Sequence, residues 1–68
     1  MNEIIFVIEE APEGGYTARA LGKSIFTEAN DLPALRTAIR GAVDCHFEES
    51  EKPALLRLHF VREEVMAA

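Results

Sequence analysis

Four features of this chain could do chemistry: a glycine pair set among carboxylates, a scatter of acids, two histidines and one thiol. The glycine pair lies in "EEAPEGGYTARALG", Glu9 to Gly22. A dinucleotide site needs G-x-G-x-x-G after a strand and opening a helix, and a phosphate loop needs G-x-x-x-x-G-K-[ST]. Gly14 and Gly15 instead separate two runs that read as strands. No helix N-terminus follows to hold an anion, and Glu9, Glu10 and Glu13 would repel one. The stretch therefore reads as a hairpin turn. A two-metal nuclease would need several acids converging from separate elements around ions about 3.5–4 Å apart. Glu9 and Glu28 fall on strands, but Glu9-Glu10 ends one at a turn and no Asp occurs in any strand. A solvated edge is the expectation.

His46 falls near the centre of the apolar stripe of a helix, where a ligand or a base could sit. The reading favoured here is a histidine at the core edge whose ring nitrogen bonds a backbone or carboxylate group. His59 shares a strand face with Arg57, and surface or interface is its default. Two histidines without a partner cysteine or a clearly placed Asp make neither a zinc site nor a hydrolase triad. Cys45 adjoins His46, but neighbours on a helix point about 100° apart and form no thiolate–imidazole pair. Cys45 reads as a small apolar filler at the rim. Phe47 flanks the stripe and either covers the core's end or meets a neighbouring subunit. Gly41, in mid-helix, costs around 1 kcal/mol against Ala. Either that cost is tolerated or another chain approaches closely there. No catalytic residue, no metal ligand and no cofactor is expected, and the chain is not expected to be an enzyme.

The elements that must position these residues are few. Sixty-eight residues suit one domain, spanning residues 1–68, near the lower limit for folding alone. A chain this short buries only about 60% of the surface its unfolded form exposes. One cysteine allows no internal disulfide. Oligomerisation is the remaining staple, and a dimer or tetramer is expected. The net charge of −5, from 12 acidic and 7 basic residues, argues against direct nucleic-acid binding and suits a basic protein partner. The 49% apolar share is that of a globular chain. The longest apolar run, "IIFVI", is too short to span a membrane. No cationic segment precedes a long apolar one, so a cytoplasmic protein is expected.

"EIIFVIEE", Glu3–Glu10, reads as a strand with Ile4, Phe6 and Ile8 on one face and Ile5 and Val7 on the other. Both faces are apolar, which implies a central strand or one covered by another subunit. "APEGG" turns the chain, and "YTARALG" returns as a second strand across a loop of about five residues. "SIFTEA" reads as a short third strand. Asp31 is a good N-cap and Pro33 suits a first turn, so a helix is predicted from Asp31 to about Glu48. Leu35, Ile39, Ala42 and His46 lie on one line of it, with Ala38 and Val43 beside them. "EESEKP" ends the helix and "ALLRLHFVRE" is a final strand. Leu56, Leu58 and Phe60 share one of its faces; Leu55, Arg57, His59 and Val61 share the other. The tail "EVMAA" is expected to fray.

The order β-β-β-α-β predicts an α+β fold of two layers, with one helix packed on a small mixed sheet. The last strand should run parallel to a neighbour. No second helix remains for the other sheet face, an exposure that marks an interaction surface. Ile5, Val7, Arg19, Arg57 and His59 are its candidate contacts, with Thr17, Leu21, Leu55 and Val61 around them. His46 and Phe47 are candidates on the helix side.

The opening "IIFVIEEAPEGGYTARAL", the segment "GKSIFTEAND" and the helix "LPALRTAIRGAVDCHFEE", closed by a strand, resemble the HicB-like antitoxin domain. That family has an acidic e-x-x-x-GGY-x-A hairpin, a G-x-x-T-x-G-x-T/D segment and then a helix. Gly14, Gly15, Tyr16, Ala18, Thr27, Asp31, Leu35, Ile39 and Val43 carry the likeness. It implies a degraded RNase H-like fold without catalytic acids, assembled as dimers or tetramers. It also implies a partner, a small basic HicA-type RNase toxin that the domain binds and masks. The family's "PDLPGC"-like segment is reduced here to "ALGKSIF". The sequence stops at Ala68, so a C-terminal DNA-binding segment is not expected and the chain looks like a small stand-alone bacterial member. Beside this stands another reading: an oligomer binding a small ligand in a subunit groove, with Arg19, Arg57 and His59 as polar contacts.

Overall fold

A computed structural model describes residues 2–68. Four strands and one helix follow in the order β1 (Glu3–Glu10), β2 (Tyr16–Ala20), β3 (Phe26–Ala29), α1 (Leu32–His46) and β4 (Leu55–Phe60). The sheet order is β3-β2-β1-β4. β1 pairs antiparallel with β2 and parallel with β4, and β2 pairs antiparallel with β3. The expected mixed α+β, β-β-β-α-β fold is the one observed.

Burial follows the two periodicities. Along β1, Ile4, Phe6 and Ile8 are buried while Ile5 and Val7 are half-buried. Ala18 and Ala20 of β2 and Ile25 join them beneath Leu35, Ile39 and Val43 of α1. The last three are spaced by four, one stripe of the helix. Small side chains on β2 let the helix come close. Leu56 and Leu58 of β4 are half-buried against the same core.

Local chemistry sets the boundaries. The Asp31 carboxylate accepts a hydrogen bond from the Ala34 N–H at 2.8 Å, satisfying one orphan donor at the start of α1, and Pro33 lies in the first turn. Asp31 is thus the cap and not the first helical residue. At the other end, Phe47 turns extended at φ −112° and ψ 146°, so α1 stops at His46, short of Glu48. This overturns the expected place of His46 near the centre of the stripe. The buried row ends at Val43, and His46 is exposed on the last helical turn. Phe47, by leaving the helix, packs on the core's end in its stead. Cys45 is likewise exposed, not a filler at the rim.

β1 spans the expected Glu3–Glu10, while β2, β3 and β4 are shorter than expected. β2 stops at Ala20, since Gly22 turns at φ +78° and the Ala20 N–H closes the turn on the Ile25 carbonyl at 3.0 Å. β3 consequently starts at Phe26, not Ser24. A single 3-10 turn at Glu49–Glu51 precedes β4, and Lys52 bridges Asp44 and Glu49 at 2.8 and 3.1 Å beside it. Beyond β4, residues 61–68 are exposed and carry no regular structure.

The glycine pair turns the chain from β1 into β2. Gly14 and Gly15 adopt φ of +103° and +84° within a turn closed from Gly14 N–H to Ala11 carbonyl and from Ala11 N–H to Gly15 carbonyl. A Cβ on Gly15 would lie 2.8 Å from the Ala29 carbonyl oxygen, whereas one on Gly14 would meet nothing within 4 Å. Both need positive φ, but only Gly15 also needs the absence of a side chain.

Gly14→Ala should cost about 1–2 kcal/mol from backbone strain alone. Gly15→Ala should cost clearly more, because β3 must move; urea unfolding of the two variants checks the order. Phe6→Ala, at a site with no solvent exposure, should cost about 3–5 kcal/mol. In a domain this small that leaves little or no cooperative transition in circular dichroism.

Candidate functional site: the uncovered sheet face

α1 covers one side of the sheet, and the residues alternating with the core form the other. Pairing registers arrange them in rows across the strands. One row crosses all four strands: Phe26 beside Arg19, Arg19 beside Val7, Val7 beside His59. Strand spacing makes that row about 14 Å long. A second row holds Glu28, Thr17 and Glu9. On the far side Ile5 faces Arg57, and Glu3 faces Leu55. The Leu21 N–H reaches the Ile5 carbonyl at 2.9 Å, which brings Leu21 to the same region.

All five predicted contacts on this face, Ile5, Val7, Arg19, Arg57 and His59, are brought together. Ile5 and Val7 are half-buried by their neighbours, and the other three are exposed. Sequence reading missed Phe26, which is 62% exposed and the largest apolar group on the face. Its signal was available: in "IFTEA" the alternation sets Ile25 and Thr27 inward and Phe26 and Glu28 outward. Glu3 was missed as well.

His46 and Phe47 sit elsewhere, at the C-terminal end of α1. Their rings meet edge-on with centroids 5.0 Å apart. The Lys23 ammonium lies 5.6 Å from the Phe47 ring centroid, a cation–π contact that closes this corner. No three of His, Cys, Asp or Glu converge on a common point among the described residues. A hollow of about 410 Å³ lies beside the hairpin turn and is walled by Glu13, Glu28, Tyr16 and Thr17. Its carboxylates disfavour a phosphate. No described helix is long and apolar enough to cross a membrane.

An ion pair on the face joins β1 to β4. Arg57 hydrogen-bonds Glu3 through both Nε and Nη2, to the two carboxylate oxygens. That hydrogen bond, with a smaller contribution from the charge, holds the Glu3 carboxyl below the usual carboxylate range, partly offset by desolvation. The pair also pins an edge strand to the central one. Because the folded pKa is depressed, its stabilisation is present above the unfolded carboxylate value and is lost as pH falls through the folded one. Arg57→Gln should return Glu3 toward the ordinary range, as read by carboxyl-detected NMR titration. It should also leave the variant's stability less sensitive to acid than that of the parent chain.

No family model matches the chain, and no solved structure matches it. Two curated relatives do. A UPF0150 protein of Archaeoglobus fulgidus is 56% identical over 55 residues, spanning 81% of this chain and 82% of its own. A UPF0150 protein of Thermotoga maritima is 35% identical over 66 residues, spanning 97% of this chain and 93% of its own. At that identity and coverage, the chain belongs to the UPF0150 family.

Proposed function

We propose that this chain is a HicB-like protein-interaction module, acting in the cytoplasm, that self-associates and binds and masks a small basic RNase of the HicA type. The observation that carries the reading is the row Phe26–Arg19–Val7–His59, laid across a sheet face that no element of the described residues covers. A soluble protein gains by covering a surface of this kind with a partner. Beside it runs an acidic row, Glu28 and Glu9 flanking Thr17, with Glu10 and Glu13 at the same end of the sheet. That arrangement suits a basic partner whose apolar centre meets Phe26 and Val7 and whose cations meet the acidic end. Masking needs no catalytic group on this chain: seating the toxin's basic active surface against the acids would suffice to exclude RNA.

The test asks whether a small basic protein encoded beside this chain's gene cleaves RNA, and whether this chain inhibits it. Addition of the chain should suppress RNA cleavage with a one-to-one endpoint. Phe26→Ala, at an exposed site, should weaken the complex at least tenfold, about 1.4 kcal/mol, without altering the fold. A charge-reversed Glu9→Lys, Glu28→Lys chain should lose the salt sensitivity of association. A chain that leaves such a ribonuclease fully active, or a Phe26→Ala variant that inhibits as well as the parent, would overturn the reading.

A further inference from the structure

The outer edge of β4 is a second surface, distinct from the sheet face. β4 ends the sheet order, so one side of its backbone has no partner strand. The Leu55 N–H donates to the Asn2 carbonyl and the Val61 N–H to the Ile8 carbonyl, both at 2.9 Å. Successive residues of a strand turn their N–H and C=O groups to opposite sides. Leu55, Arg57, His59 and Val61 therefore spend theirs on β1, and Leu56, Leu58 and Phe60 turn theirs outward. Neither Lys nor Pro blunts this edge, and the one acid-paired cation in β4, Arg57, is tied to Glu3 on the β1 side. Residues 61–68 are exposed throughout and do not fold back on it. Leu55, Phe60 and Val61 are 60%, 50% and 38% exposed.

We propose that a second copy of this chain occupies this edge, its β4 antiparallel to the first about a two-fold axis at Leu58. This gives a location to the self-association proposed above, on which it rests. The occupant is identified by self-complementarity. With the axis at Leu58, every outward residue meets an outward residue: Leu58 meets its own counterpart, and Leu56 meets Phe60 in both directions. About six hydrogen bonds form, and no outward group of β4 is left unpaired. On the helix side the new neighbours are all apolar. On the open face Leu55 meets Val61, and Arg57 meets His59. Each exposed apolar residue of the edge thus gains an apolar partner.

The neighbouring registers are worse on the same residues. An axis at Arg57 sets two guanidinium groups directly opposite each other and pairs only Leu56 with Leu58, with about four bonds. An axis at His59 brings Arg62 against Leu56 on the apolar side. The antiparallel pair also closes at two copies and removes the exposed β4 edge from both. It joins the two open faces into one continuous surface, so a dimer would present the row from Phe26 to His59 twice.

The test uses two exposed positions in a Cys45→Ser background, since Cys45 is a free exposed thiol. Arg57→Cys and His59→Cys chains are made separately, and self-association of the parent chain is first measured by sedimentation equilibrium. In the Leu58 register residues 57 and 59 of opposite copies are a non-hydrogen-bonded pair with Cα atoms about 4.5 Å apart, within disulfide reach. Identical positions are ~8 Å apart, beyond that reach. The expected result is a dimer in which the mixed chains cross-link under mild oxidation and neither variant alone does. A dimer whose mixed chains cross-link no better than either variant alone overturns the β4 edge while leaving self-association standing. A monomer at high micromolar concentration overturns both.

Discussion

β1 is apolar on both faces, and the chain has one helix with which to cover it. Everything else in the structure answers that imbalance. Phe6 and its neighbours Ile4 and Ile8 take the helix side, where Leu35, Ile39 and Val43 bury them. Ile5 and Val7 are left on the other side, sheltered only by what grows from adjacent strands. A core built on one side of a four-stranded sheet in so short a chain has little stability to spare. The single layer of packing therefore governs both how the domain folds and what surface it offers.

The same imbalance explains where the polar chemistry lies. Arg19, Arg57 and His59 alternate with core residues, so the pleat carries them to the uncovered side among Ile5, Val7 and Phe26. Arg57 is tied to Glu3 across the parallel pair, which gives a β1–β4 connection that the hairpin supplies elsewhere by covalent closeness. The acids gather at the hairpin end because β1 ends in Glu9-Glu10 and Glu28 lies opposite Thr17. The uncovered side is thus a strip of mixed apolar and basic residues with acids along one margin.

Much of this was legible in the sequence, for identifiable reasons. The extent of β1 and the five-residue hairpin loop followed from β-branched alternation broken by Pro12 and Gly14-Gly15. The start of α1 followed from Asp31 and Pro33. The members of the open face followed from period-two alternation once the strands were placed. Two features were misplaced, each for its own reason. His46 lies on the projected apolar line, but a projection assumes that the helix continues, and the chain turns extended at Phe47 so that Phe47 covers the core instead. Phe26 escaped notice because Ile25 and Phe26 are both apolar, although its alternation with Glu28 sets it outward; the turn closed by the Ala20 N–H on the Ile25 carbonyl holds Ile25 inward.

The residues along the chain settle local features: which of them alternate, where glycine and proline break the chain, where a carboxylate caps a helix, and the excess of acid. These are properties of neighbours along the chain, set by sterics and hydrogen bonding within a few residues. Only the tertiary structure decided that β4 lies beside β1, not β3, and so stands at the edge of the sheet. Only it decided that Phe26, Arg19, Val7 and His59 form one row. Register and strand order depend on contacts between segments distant in sequence, and packing the helix over one side selects among them. The glycine pair shows both levels: its turn was written in the sequence, but the carbonyl of Ala29 that forbids a side chain at Gly15 comes from another strand.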